Sequence, residues 1–279
     1  MMVRRGWARF RRQPGALVGL GILGMLVGLA VLAPWLSPHE AGAMFAPLQP
    51  PSRQHPLGTN DMGYDLWREW LQGARFSLAL GALAALAATA LGTVLGALAG
   101  YCRRAGPPIM RLVDVFLAVP RFPLIVLMAA FVRPGFGSLL LFFALFGWPP
   151  VARIVCARML TEKGQEYAIA AEAAGASSTR VFLRHLLPSA APIAFVRLVA
   201  ETQHVIVAEA GLSFLGLGDP TARTWGMTLS HATRYPALFI TDVWTWWALP
   251  PGLAITLACL ALALVGIGLE SLSNPRLSR

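Results

Sequence analysis

The sequence predicts an all-α integral membrane protein with six transmembrane helices, and three observations carry the prediction. Of 279 residues, 56% are hydrophobic and only 13% are charged, which leaves too little polar surface for a soluble chain of this size. The apolar residues gather into six runs that reach or approach the about 20 residues a bilayer-crossing helix needs. The basic residues, which give a net charge of +10, lie beside those runs. They therefore speak for orientation in a membrane and against a nucleic-acid surface.

Spans are expected at 16–36, 76–101, 112–132, 137–156, 190–215 and 246–269. The first is too long in its apolar run for a cleavable signal peptide and lacks a convincing small-residue cleavage site, so it is expected to stay as an anchor. With the N-terminus inside, most basic residues fall on one side, among them Arg4, Arg5, Arg103, Arg104, Arg158, Lys163 and Arg184. That bias predicts both termini in the cytoplasm. The chain then divides into a cytoplasmic segment 1–15, the first span 16–36, an external segment 37–75, a five-helix core 76–269 and a cytoplasmic tail 270–279. Within the core, loop 158–188 is expected in the cytoplasm and loop 216–245 outside. In the external segment, Leu66, Trp67, Trp70 and Leu71 have the spacing of an interfacial helix. Trp225, Trp244, Trp246 and Trp247 are residues of the kind that anchor in headgroups.

Enzyme chemistry is not expected. Lys163 is the single lysine and is followed by Gly164, so the chain has no Gly-Lys-Ser/Thr for a phosphate-binding loop. Cys102, Cys156 and Cys259 are scattered in or beside apolar runs and read as packing residues. His39, His55, His185, His204 and His231 show no metal-ligand spacing. No catalytic residue, metal or cofactor is expected in this chain.

One polar island interrupts the apolar pattern. EYAIAAEAAGASSTRVFLRHLLP over 166–188 reads as a helix to Ala174, a stop at Gly175, and a second helix capped by Ser177 or Ser178 and running to Leu186, with Pro188 opening the next span. This pattern resembles the cytoplasmic coupling loop of ABC importer permeases, in which Glu-Ala-Ala is followed after three residues by Gly and after nine more by a hydrophobic-x-Leu-Pro ending. Ala170, Ala171, Gly175, Leu187 and Pro188 match in register, while Ile169 stands in the place of the glutamate. The likeness covers nearly the whole chain through LAPWLSP at 32–38, HPLGTNDMGYD at 55–65, GAR at 73–75, MRLVDV at 110–115, AEAGLSFLGLG at 208–218 and NPRL at 274–277. These identify the chain as similar to the C-type subunit of the dipeptide, oligopeptide and nickel permeases.

The resemblance implies a type I ABC importer permease fold in a bacterial inner membrane. It also implies a homologous B-type permease partner, two ATPase subunits that hold ATP and Mg, and an external substrate-binding protein. The loop residues Glu166, Tyr167, Ile169, Ala170, Ala171, Glu172, Gly175, Arg184, Leu187 and Pro188 would then meet the ATPase. With Ile169 in place of the carboxylate, Glu166 or Glu172 is expected to carry the docking contact, each three residues away along a helix. The implied cargo is a di- or oligopeptide, with nickel or a metal chelate as the alternative.

Charges inside spans are costly and face a cavity, a bundle interior or one another. Arg121 lies in the third span between Pro120 and Phe122, with Pro123 following, where a kink is expected. Arg197, Glu201 and His204 share one helical face. They predict an internal Arg197–Glu201 ion pair, or else, with Arg121, a lining of the translocation path. Asp114 is expected to pair with Arg111, and Glu209 to serve packing or gating. A self-contained secondary transporter or channel would also need such charges, but it leaves the 166–188 island without a purpose.

Overall fold

A computed structural model describes residues 13–37, 39–40 and 42–273. The arginine-rich N-terminus and NPRL at 274–277 lie outside the described residues, as do the side chains of Glu172, Ser178, His185 and 271–273. Helix α1 spans Pro14–Leu36, and α2 spans Leu66–Tyr101. Then come α3 (Gly106–Ala118), α4 (Arg121–Phe131) and α5 (Phe136–Lys163). The island forms α6 (Glu166–Ala173) and α7 (Ser178–Val181), which runs through a π-helical turn (Phe182–Leu186) into α8 (Leu187–Phe214). Helices α9 (Trp225–Arg234), α10 (Trp244–Trp247) and α11 (Leu249–Ser273) complete the chain. No strand occurs among the described residues, whose one β feature is an isolated bridge between Thr59 and Asp65.

Five helices are long and apolar enough to cross a bilayer, and α3 with α4 makes a sixth if that pair, bent by 79°, counts as one span. Pro120 lacks the amide that would continue α3 and disfavours a helical Val119 before it. Val119 is accordingly extended, so the expected kink is a full break.

Helix α2 organises the bundle. Its 36 residues extend about 54 Å at 1.5 Å each, well beyond a hydrocarbon layer. Gly92, Gly96 and Gly100 recur every fourth residue and so share one face. A Cβ at Gly96 would lie 2.4 Å from the Ala152 carbonyl oxygen, and one at Gly92 2.6 Å from that of Trp148. Helices α2 and α5 thus touch backbone to backbone, the close approach that small residues permit inside membranes. Helix α1 uses the same device against α11, where a Cβ at Gly19 would meet the Ala261 carbonyl at 2.7 Å.

Two sequence expectations change here. The segment 66–75 continues α2 and is not a separate interfacial helix. Asp65 caps it by accepting from the Trp67 amide at 2.9 Å, and Leu66 and Leu71 are buried in protein. Trp225 is also fully buried, with its indole N–H donating to the Trp70 carbonyl at 3.1 Å. Trp247 packs with Leu66, Leu238 and Val243. Only part of the tryptophan set faces outward, with Trp244 at 40% exposure; the others tie loop 216–245 to the end of the bundle where α2 begins.

Candidate functional site

A cleft of about 370 Å³ opens between α4, α5 and α8, lined by Arg121, Phe122, Pro150, Arg197, Glu201 and His204 among others. The break before α4 makes Arg121 its first residue, and its guanidinium donates to the Glu201 carboxylate on α8. Gly147 makes room for this pair, since a Cβ there would lie 2.6 Å from Glu201 Oε1 and 3.2 Å from an Arg121 terminal nitrogen. The expected Arg197–Glu201 pair is therefore not the one formed. A residue four positions along the same helix is displaced by a partner from the neighbouring helix, whose terminal guanidinium nitrogen reaches Glu201 Oε1. Arg197 lines the same cleft with its Nε buried and lacking a hydrogen-bond partner. One carboxylate thus faces two guanidiniums, so the cleft carries an excess of positive charge.

Two other intramembrane charges are settled by packing. Asp114 pairs with Arg153 of α5, not with Arg111 on its own helix, because α5 packs alongside α3. Glu209 is fully buried and accepts from Ser77 Oγ at 2.9 Å and Ser213 Oγ at 2.7 Å. The Ser77 bond fastens α8 to α2, while the Ser213 bond lies within α8 and orients the carboxylate.

At the opposite end of the bundle from the start of α2, the island folds back on the helix ends. Gly175, at φ +83°, ends α6 in the left-handed conformation that favours glycine. The Ala176 amide donates to the Ala171 carbonyl at 3.1 Å, as in a Schellman cap. Ala168, Val181 and Leu186 are buried against Val155 and Met159 of α5, with Ala171 and Leu187 packed alongside. Glu166, Tyr167, Ile169, Ala170, Gly175, Arg184 and Pro188 are exposed. Pro188 stands in the first turn of α8, where the next span is expected to begin, and a π-helical turn leads directly into it. The π turn, in which the Leu187 amide reaches the Phe182 carbonyl, widens the coil just before the proline, where a missing amide and a ring must be accommodated.

Sequence reasoning missed Glu162, which is buried at the end of α5. It pairs with Arg158 at 2.6 Å and accepts from the Tyr167 hydroxyl, clamping α6 to α5. Although the residue is exposed, desolvation of its hydroxyl, followed by the hydrogen bond to Glu162 and that carboxylate's charge, pushes the Tyr167 phenol up to about 12. The i, i+4 spacing of Arg158 and Glu162 was the available signal. His39, His55 and Asp65, which have no metal-ligand spacing along the chain, also converge in space. Their separations along the chain give no hint of it.

Five helices long and apolar enough to cross a bilayer, a charged cleft among the helices and a polar loop folded against the helix ends describe a multi-pass membrane protein. Residues 92–279 match the family described as binding-protein-dependent transport system inner membrane component. Residues 2–51 match the N-terminal TM domain of oligopeptide transport permease C. The chain is 35% identical over 282 residues to a di/tripeptide transport system permease protein of Pseudomonas aeruginosa, covering 97% of this chain and 91% of that one. A dipeptide permease protein of Bacillus subtilis is 33% identical, with 98% and 85% covered. An oligopeptide permease protein of the same organism is 31% identical, with 97% and 88% covered. The chain belongs to this family of ABC transporter permeases.

Proposed function

We propose that this chain is the C-type permease of an ATP-driven, binding-protein-dependent importer of di- and oligopeptides, and that it forms half of the translocation path. The observation that carries the proposal is the cleft between α4, α5 and α8, where Arg121 and Arg197 face a single carboxylate, Glu201. A guanidinium excess lining a cleft attracts carboxylates, which every peptide carries at its C-terminus. The three relatives are all peptide permeases, which supports the same substrate class.

In this proposal α3 and α4 count as one broken span, giving six, and both termini lie in the cytoplasm of a bacterial inner membrane. The 166–188 loop then faces an ATPase subunit, with ATP and Mg bound in two such partners, while a homologous permease completes the path and an external binding protein delivers cargo. The docking ridge is the exposed set Glu166, Ile169 and Ala170, flanked by Arg184. Ile169 at 57% exposure gives it an apolar centre, with Glu166 as its carboxylate. Glu172, the other candidate, has its side chain outside the described residues.

The test is purification of the tagged chain from native membranes together with labelled di- and tripeptide uptake. Co-purification of a second permease and an ATPase, and uptake lost in Arg121→Leu with assembly preserved, are the expected results. A chain that purifies alone, or peptide uptake unchanged by its deletion, defeats the proposal. Nickel or chelate uptake in place of peptide uptake would reassign the cargo.

A further inference from the structure

Away from the cleft and the loop, three chain segments bring metal-type donors together at the end of the bundle where α2 starts. We propose that His39, His55 and Asp65 form a site for one divalent transition-metal ion that staples segment 37–65 to the N-terminus of α2. This inference is independent of the transport proposal. His39 Nδ1 lies 2.6 Å and His55 Nδ1 3.5 Å from the same oxygen, Asp65 Oδ2, and the three donor atoms all fall within 4.8 Å of one another.

The second observation is the state of His55. Its residue is 3% exposed, and its Nδ1 is buried with no hydrogen-bond partner. A buried polar nitrogen left in that state is costly, and this one is aimed at the gap between His39 and Asp65. A metal in the gap satisfies it. Zinc bond lengths of about 2.0–2.1 Å place tetrahedral ligands roughly 3.3 Å apart, a value that the two observed nitrogen–oxygen separations bracket. Closing on the ion needs the His39–Asp65 contact to open by roughly 0.7 Å, and His39, on a loop outside the helices, is the ligand placed to move. The His39–Asp65 hydrogen bond is then the metal-free arrangement.

The surroundings hold the donors in place. Asp65 Oδ1 accepts the Trp67 amide, which orients the carboxylate as outer contacts orient ligands in metal sites. The Phe45 ring packs on both imidazoles, with centroids 4.6 Å from His39 and 4.5 Å from His55. Backbone bonds from Phe45 to Gly63 and from Leu48 to Asn60 fix the ligand-bearing loop. A small cavity of about 50 Å³ borders His39 and Asp65 and is lined also by Glu40, Glu69, Arg68 and Arg223. It offers room for a water as fourth ligand, and with Asp65 its three carboxylates outnumber its two guanidiniums. Two imidazoles and one carboxylate select zinc, cobalt or nickel over magnesium or calcium.

The test uses the full chain with whatever subunits co-purify, carried on a tag other than polyhistidine and stripped with chelator. Titration with Co²⁺ is expected to give ligand-field bands saturating at one ion per chain, which Zn²⁺ abolishes. His39→Gln and Asp65→Asn, the latter retaining a side chain that caps α2, are expected to weaken binding at least about tenfold while eluting as the native assembly. Zn²⁺ is expected to slow proteolysis of segment 37–65 in wild type alone. Absence of saturable Co²⁺ binding by the intact protein overturns the proposal, and so does wild-type affinity in both variants.

Discussion

The pairing of Glu201 gives the sharpest test, because sequence spacing and tertiary structure name different partners. The Glu201 side chain is 6% exposed and that of Arg121 27%, so removing Arg121 strands a buried carboxylate. Breaking a buried pair costs about 3–5 kcal/mol, and the quarter exposure of Arg121 toward the cleft puts Arg121→Leu near the low end, at about 3 kcal/mol. The double variant Arg121→Leu/Glu201→Leu removes the stranded charge and should recover much of that loss. The expected coupling energy is about 2 kcal/mol. For Arg197 and Glu201 the same cycle should give below about 0.5 kcal/mol, because Glu201 is held from α4. Thermal melts of the purified assembly, followed by tryptophan fluorescence, read these differences at roughly 2–4 °C per kcal/mol. A larger coupling for Arg197–Glu201 than for Arg121–Glu201 would refute the assignment and restore the pairing within α8.

Other outcomes follow from the packing. Gly96→Ala sets a methyl group 2.4 Å from a backbone oxygen, which α2 and α5 relieve only by separating; a loss of about 1–3 kcal/mol in the same melts is expected. Ile169→Asp changes an exposed side chain, so the melt should move by less than about 0.5 kcal/mol, while ATPase co-purification should change measurably. The Tyr167 phenol is raised from 10.0 to about 12, so the folded protein favours its protonated, donating form. Its contribution is complete below pH 10 and is lost as pH rises through about 12. An ultraviolet titration should show tyrosinate absorbance rising in that window in wild type, a component that Tyr167→Phe should remove.

The sequence by itself determined the membrane class, five long apolar spans, a distortion of the backbone near Pro120 and the helix–glycine–helix form of 166–188. These rest on local physics: apolar run length, proline's missing amide and glycine's access to positive φ are properties of a few adjacent residues. It also marked Arg121, Arg197, Glu201 and His204 as belonging together, because helical periodicity places the last three on one face. Tertiary structure alone decided which charges pair. Glu201 takes Arg121 and Asp114 takes Arg153, since the partner is the one that interhelical packing brings nearest, whatever its distance in sequence. The same holds for Trp225, which composition assigned to the headgroup layer and packing buried, and for α2, whose glycine face is a contact only because Ala152 lies against it. His39, His55 and Asp65 belong to segments whose folding brings them together, and nothing in their linear spacing encodes a meeting that long-range hydrogen bonds around 45–65 impose.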